Sequence, residues 1–353
     1  TAGTTGYDED DTRLGAPVRQ GMGVAFFART SALTYWKGET KRIYDGKGWR
    51  DEAWGWQSKH VEEPGIDEKN HASDDTETSE AQVLYQEIMP VDPHLRTTVF
   101  RGGTIIHVDR MLKRAGGNIP SERLRFNPLA DKYELPQDAG VVFYRIAVSM
   151  EQPGMSVDTA TENVTHDGAD ENPGATELQA SADAALERFL QLPERLPRRV
   201  VELAEDVVSD VVEPEEMASR IESFLRAEYD YSLSATARPG ADEDFVDHFL
   251  FAQRAGYCDH FSTAMVVMMR TLGEPARWVK GFAPGDVVAH ADGMYEVTVR
   301  NKHAHSWAEV YLPDKGWTAF EPTPAFDNDG GGAGDEPEAE SPPAQEHSTT
   351  AMA

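Results

Sequence analysis

Between about residues 151 and 177 the chain gives up apolar periodicity for Gly, Pro, Thr, Asp and Glu, and the patterns on its two sides differ. A stretch of that composition has nothing to pack and reads as an exposed, acidic linker. Before it, short apolar runs are cut by turn residues. Val24 to Ala28, Val83 to Met89, Thr98 to Phe100, Thr104 to Val108 and Val141 to Val148 each predict a strand. Ile43-Tyr44, the glycine-bearing turn Asp45-Gly46-Lys47-Gly48 and then Trp49 predict a strand-turn-strand unit. This spacing suggests a β-sandwich-like domain over 21–150, interrupted by a hydrophilic insertion near 55–80 and preceded by a flexible segment, 1–20.

Beyond the linker, helical periodicity comes first. Val200, Leu203, Ala204 and Val207 form one stripe; Pro214 suits a helix start, with Met217, Ile221, Phe224 and Leu225 following it. Phe261, Met265, Met268, Met269 and Leu272 form a third stripe, ended by Gly273. Strand patterns follow over 276–282, 294–299, 306–312 and 317–320. Helices followed by strands predict an α+β domain over 178–327. From 328 to 353 the chain is too polar to pack and is expected to be a disordered acidic tail.

With 62 acidic against 33 basic residues, the 353-residue chain carries a formal charge of -29, which argues against nucleic acid or an anionic membrane surface as a partner. Ten of the basic residues are Lys, a balance expected either of a salt-adapted surface or of Arg-favouring GC-rich coding. No run approaches the roughly 18 apolar residues of a spanning helix, and nothing resembles a signal peptide. The chain opens at Thr1 without an initiator Met and reads as a fragment of a longer protein.

Cys258 is the single cysteine, so neither an internal disulfide nor a cysteine-rich zinc site is open to it. It lies in Gly256-Tyr257-Cys258-Asp259-His260-Phe261, where a turn opens the third helical stripe. A helix start favours the thiolate through unpaired N–H groups and the macrodipole, which predicts a lowered thiol pKa. His305 begins a strand pattern 47 residues later, with Trp307 and Glu309 on its face by period two. Glu321 follows the next strand pattern, where a carboxylate can fix the imidazole tautomer. The order Cys258, His305, Glu321 is therefore a candidate nucleophile, base and orienting acid, with Glu309 and Asp314 as weaker carboxylates. Tyr231 and Gln253 are candidate oxyanion donors beside the Cys258 backbone N–H. Two other readings stay open: Cys258 as buried filler, and a metal site built on His303 and His305 with His260 and His290.

The blocks Gly256 to Ala264, Arg270 to Phe282, His305 to Pro313 and Gly316 to Pro324, in that order, closely resemble the transglutaminase-like superfamily over roughly 180–325. Ser31 to Lys37 with Tyr44 to Trp49 resembles the β domain that precedes this core in membrane-anchored bacterial and archaeal members. The resemblance implies a papain-like core in which Cys258 is nucleophile and His305 base, and it places Glu321 where many relatives carry Asp. It further implies acyl transfer on protein or peptide amides through a thioester, with cross-linking, deamidation or hydrolysis as outcomes and no cofactor required. The same likeness implies a protein or peptide substrate, those of the cell envelope included, and an extracytoplasmic position in a membrane-anchored parent. The rival of a different class is a non-catalytic binding module that keeps the fold.

Overall fold

The computed structural model describes residues 3–4, 6–7, 10–50, 56–58, 83–135, 138, 140–150, 184–234, 236–324 and 326. The predicted linker, most of the hydrophilic insertion and the predicted tail lie outside them.

Two antiparallel sheets organise the chain. The larger has six strands: β1 (Val24–Thr30), β3 (Val83–Pro90), β4 (Thr104–Lys113), β5 (Val141–Ser149), β7 (Asp286–Ala291) and β8 (Met294–Arg300), the label β2 belonging to the other sheet. Their order is β7-β8-β1-β3-β5-β4. The smaller sheet runs β10-β9-β6-β2, built from β2 (Trp36–Lys41), β6 (Ala276–Phe282), β9 (Ala304–Leu312) and β10 (Gly316–Phe320). Three helices, α1 (Arg198–Val207), α2 (Pro214–Glu228) and α3 (Cys258–Thr271), pack with the smaller sheet. The architecture is α+β.

Both sheets draw strands from both sides of the predicted linker, which corrects the expectation of two sequential domains at 21–150 and 178–327. All seven residues of β6 are buried, and an open edge on such a strand would leave a row of backbone groups unpaired. β2 covers that edge, pairing Trp36 with Phe282 and Lys41 with Trp278. In exchange, the hairpin β7–β8 leaves the helical half and pairs Thr298 with Phe27 of β1. β7 had no clear strand pattern in the sequence.

The first 20 residues are also not a loose leader where they are described. Tyr7 stacks on Phe282 at 5.9 Å and packs edge-on to Phe100 at 5.0 Å. Asp11 is buried against Lys280 at 2.6 Å and Lys41 at 3.2 Å, and Leu14 lies in the helical core. Polar composition suggested flexibility, but buried lysines recruit the acid into the core.

Thr98 to Phe100 is a loop rather than the expected strand. Its backbone is satisfied by Val99 N–H to Tyr133 O at 3.0 Å and by Tyr144, whose hydroxyl accepts from Phe100 N–H at 2.8 Å and donates to Phe100 O at 3.1 Å. The core beside the six-stranded sheet is closed by Leu124, Tyr133 and Leu135, from around the short strands Arg125–Asn127 and Lys132–Glu134, giving the sandwich-like layer. In the helical core α3 is buried continuously from His260 to Arg270. Each large apolar side chain buried there contributes roughly 1.5–3 kcal/mol of transfer free energy. The α3 C-terminus ends as its sequence implied, with Gly273 at φ +87°, a conformation cheap only for glycine.

Candidate active site

Tyr257 is extended (φ -114°, ψ -177°) and caps α3. His260, in the first turn, accepts from the Tyr257 N–H at Nδ1 (3.3 Å). That ring lies against the backbone of residue 256, where a Cβ would come within 2.5 Å of it, so only glycine fits. Burial lowers His260 to about 3, leaving it neutral, and the rings of Phe245, Phe249 and Tyr257 surround it. His260 is thus a clamp on the helix start, and Phe261 anchors the same turn in the core.

Cys258 is held at the mouth of that helix, half-buried. Its sulfur lies 3.8 Å from Asp259 Oδ1, which accepts from Ser306 Oγ at 2.7 Å. The Ser306 hydroxyl lies 3.0 Å from Ser262 Oγ, which accepts from Trp278 Nε1 at 2.8 Å. Burial and then the Asp259 carboxylate push the Cys258 thiol well up, outweighing the hydrogen bonds from Ser306. The lowered thiol expected from the helix start is therefore corrected: desolvation of a charged sulfur outweighs the favourable end of the helix. A thiol in this setting needs a base.

His305 stands at the start of β9, its side chain fully buried. Its Nε2 lies 2.5 Å from Glu321 Oε2, while Nδ1 has no hydrogen-bond partner among the described residues. His305 and Cys258 line one small cavity of about 50 Å³, together with Asp259, Tyr231 and Phe326. No direct hydrogen bond joins sulfur to imidazole among the described contacts. Phe326 stacks on the imidazole at 4.0 Å.

Glu321, just past β10, is fixed at every polar atom. Oε1 accepts from Thr323 N–H at 2.9 Å, and Oε2 also accepts from the Tyr35 hydroxyl at 2.8 Å. Its own N–H donates to Glu222 Oε1 at 2.7 Å, and its carbonyl accepts from Arg226 at 2.9 Å. The same Arg226 nitrogen reaches the carbonyls of Thr323 and Phe326, tying the segment behind Glu321 to α2. Burial opposes its ionisation, but His305 and the Thr323 donors hold the carboxyl below its usual range. The extra methylene of Glu relative to Asp does not keep it from the ring.

Of the other expected residues, only Tyr231 borders the Cys258 cavity among the described residues. Glu309 is bound by Arg277 and Lys37, and Asp314 borders a separate, larger cavity. Gln253 bonds the backbone of Ala237 and Ala255, away from the sulfur, whereas Tyr231 borders the Cys258 cavity. His303 accepts from Arg300 N–H and sits 3.3 Å from Asp286, and His290 stacks on Tyr295, so the four histidines of the metal reading do not converge. Among the described residues no group of three or more His, Cys, Asp or Glu side chains is arranged to hold a metal ion. Tyr35, Asp259, Ser306, Arg226 and Phe326 were not singled out by sequence reasoning. Asp259 and Ser306 carried a signal as direct neighbours of the candidate pair, and Tyr35 lies in the Ser31 to Lys37 block that resembles the preceding β domain.

Known proteins share the family and the fold of this chain. Residues 201–322 match the family model of the transglutaminase-like superfamily. The protein YebA of Bacillus subtilis is 31% identical over 331 residues, which are 92% of this chain and 41% of YebA. A protein-glutamine gamma-glutamyltransferase of Pseudomonas aeruginosa is 34% identical over 137 residues, 38% of this chain and 20% of that protein. The chain thus spans about two fifths of the first relative and one fifth of the second. Among solved structures, the periplasmic domain of TgpA from Pseudomonas aeruginosa, bound to ethylmercury, shares the fold at a TM-score of 0.56 and 21% identity, covering 85% of this chain and 90% of that one. Through its region 201–322 the chain belongs to the transglutaminase-like superfamily.

Proposed function

We propose that the protein is a cysteine-dependent acyltransferase acting on the carboxamides of protein or peptide substrates, with Cys258 as nucleophile, His305 as base and Glu321 as the acid that orients it. The observation that carries this reading is a half-buried thiol sharing one cavity with an imidazole whose Nε2 is bound to a carboxylate and whose Nδ1 is unpartnered.

The neutral Cys258 thiol attacks the carboxamide carbon as its proton passes to His305 Nδ1, and a tetrahedral oxyanion forms. The backbone N–H of Cys258, at the first position of α3, has no intrahelical carbonyl to bond and suits the oxyanion. The C–N bond breaks, the imidazolium returns its proton to the departing ammonia, and a thioester remains. A lysine amine then yields an isopeptide cross-link; water yields deamidation. The glutamyltransferase relative favours the amine as acceptor. A position outside the cytoplasm, in a membrane-anchored parent, belongs to the same proposal and is supported by the fold shared with a periplasmic domain.

The test is incubation with a fluorescent primary amine and a glutamine-bearing protein, reading amine incorporation and ammonia release together. Wild-type protein should incorporate the amine, and Cys258→Ala should abolish incorporation while melting within a few degrees of wild type. Equal incorporation by the variant would end the nucleophile assignment; ammonia release without incorporation would turn the reading to hydrolysis.

A further inference from the structure

The geometry points to Tyr35 as a positioning residue of this active site: its hydroxyl fixes the Glu321 carboxylate, so the N-terminal half of the chain supplies part of the catalytic apparatus. The inference rests on the acyl-transfer reading above and deepens it. Tyr35 lies well outside the span matched by the family model, 201–322.

A glutamate has one more rotatable bond than an aspartate, and a free one spreads over several rotamers. Here Oε2 takes two donors at once, His305 Nε2 at 2.5 Å and the Tyr35 hydroxyl at 2.8 Å. The phenol has one proton to give, and burial followed by the neighbouring Glu321 charge keeps it un-ionised. Tyr35 is therefore always a donor in this pair. Donation to Oε2 favours the anionic carboxylate, which leaves the shared proton on His305 Nε2 and the lone pair on Nδ1. The other groups facing Glu321 are the Thr323 N–H at Oε1, the Glu222 carboxylate at its N–H and Arg226 at its carbonyl, and none of them is bonded to Oε2.

The strand register is what delivers the hydroxyl. Tyr35 directly precedes β2, where Trp36 pairs with Phe282 and Lys37 with Gly281 of β6; Gly281 in turn pairs with His305 of β9. A Cβ on Gly281 would come within 2.1 Å of the Trp36 carbonyl and 3.0 Å of the Trp307 ring. The glycine lets β2 close in beside the histidine. The Tyr35 ring then packs on Trp307 at 5.1 Å and His305 at 5.3 Å.

A double-mutant cycle read as steady-state amine incorporation tests this. Tyr35→Phe keeps the ring and removes only the hydroxyl; it should lower kcat about tenfold, the scale of one hydrogen bond to a charged group, with KM changed less than about twofold. In a Glu321→Gln background the same substitution should cost less than about twofold, because its partner charge is already gone. Equal losses in both backgrounds, or no loss in the wild-type background, would overturn the role for Tyr35. If Tyr35→Phe lowers the melting temperature sharply, kcat per folded molecule at a temperature well below the transition still reads the cycle. Failure of the parent reading looks different: Glu321→Gln alone, or Cys258→Ala alone, would leave turnover intact.

Discussion

Strand β9 carries two buried acid–base clusters that obey opposite rules. At its start, His305 meets one carboxylate and leaves Nδ1 without a partner. Four residues on, and on the same face, Glu309 is bound by Lys37 at 2.6 Å and by Arg277 at 2.6 Å, while Asp131 joins Lys37 at 2.9 Å, Arg277 at 3.1 Å and Arg101. In that second cluster three cations face two carboxylates. Burial opposes charge throughout, yet the cations hold Asp131 and Glu309 below the usual carboxylate range, while burial, aided by Arg277 and Arg101, lowers Lys37. One end of the strand leaves a ring nitrogen open, as the proposed base requires; the other closes each carboxylate onto its partners. A buried polar atom left unpaired costs stability, and His305 Nδ1 shares that condition with Arg101 Nε in the second cluster and His260 Nε2; what sets it apart is that it belongs to a ring lining the Cys258 cavity.

Cutting each cluster should separate the two roles. The largest effect is expected at the strand start, where His305→Ala should lower amine incorporation by about 10²–10⁴-fold, the usual scale of positioned acid–base catalysis. A loss below tenfold would mean that the base lies elsewhere. At the other end, Glu309→Ala leaves Lys37 and Arg277 short of a carboxylate and should destabilise the fold by about 3–5 kcal/mol, measured by urea unfolding. Turnover per folded molecule should stay within a few-fold, because Glu309 does not contact His305; a loss comparable to that of His305→Ala would join the two clusters into one.

The smallest effect concerns acid. Asp131 and Glu309 have folded-state pKa values below their unfolded values, so their contribution is fully present above about pH 4 and is lost as pH falls through the folded values. The melting temperature should therefore drop below about pH 4. Asp131→Asn should start from a lower melting temperature and fall less steeply over that window; an unchanged slope would remove this cluster from the acid response.

Much of the α+β core was legible in the sequence because its elements are periodic. Ile221 and Leu225 of α2, and Met265, Met268 and Met269 of α3, are buried as their spacing implied. β2 was harder to read. Trp36 to Lys41 alternates charged residues that would normally face water, yet all six positions are buried, because Lys37 and Glu39 find opposite charges on other strands and Lys41 finds Asp11 in an N-terminal turn. Burial by ion pairing leaves no hydrophobic period to detect. The same reason hid the packing of the first 20 residues, where Asp11 is the buried member of a lysine pair.

The chain by itself determined the local machinery around the sulfur. Gly256, Tyr257, Cys258 and His260 fix the helix start through contacts no more than four residues apart, and such short-range geometry is written in consecutive residues. Only the tertiary structure decided which carboxylate reaches the imidazole, that the thiol is pushed up rather than down, and that a tyrosine from the other half stands behind the acid. The carboxylate is chosen by the pairing of β9 with β10, the thiol by desolvation, and the tyrosine by strand pairing between residues more than two hundred positions apart, and none of these exists until the sheets have assembled.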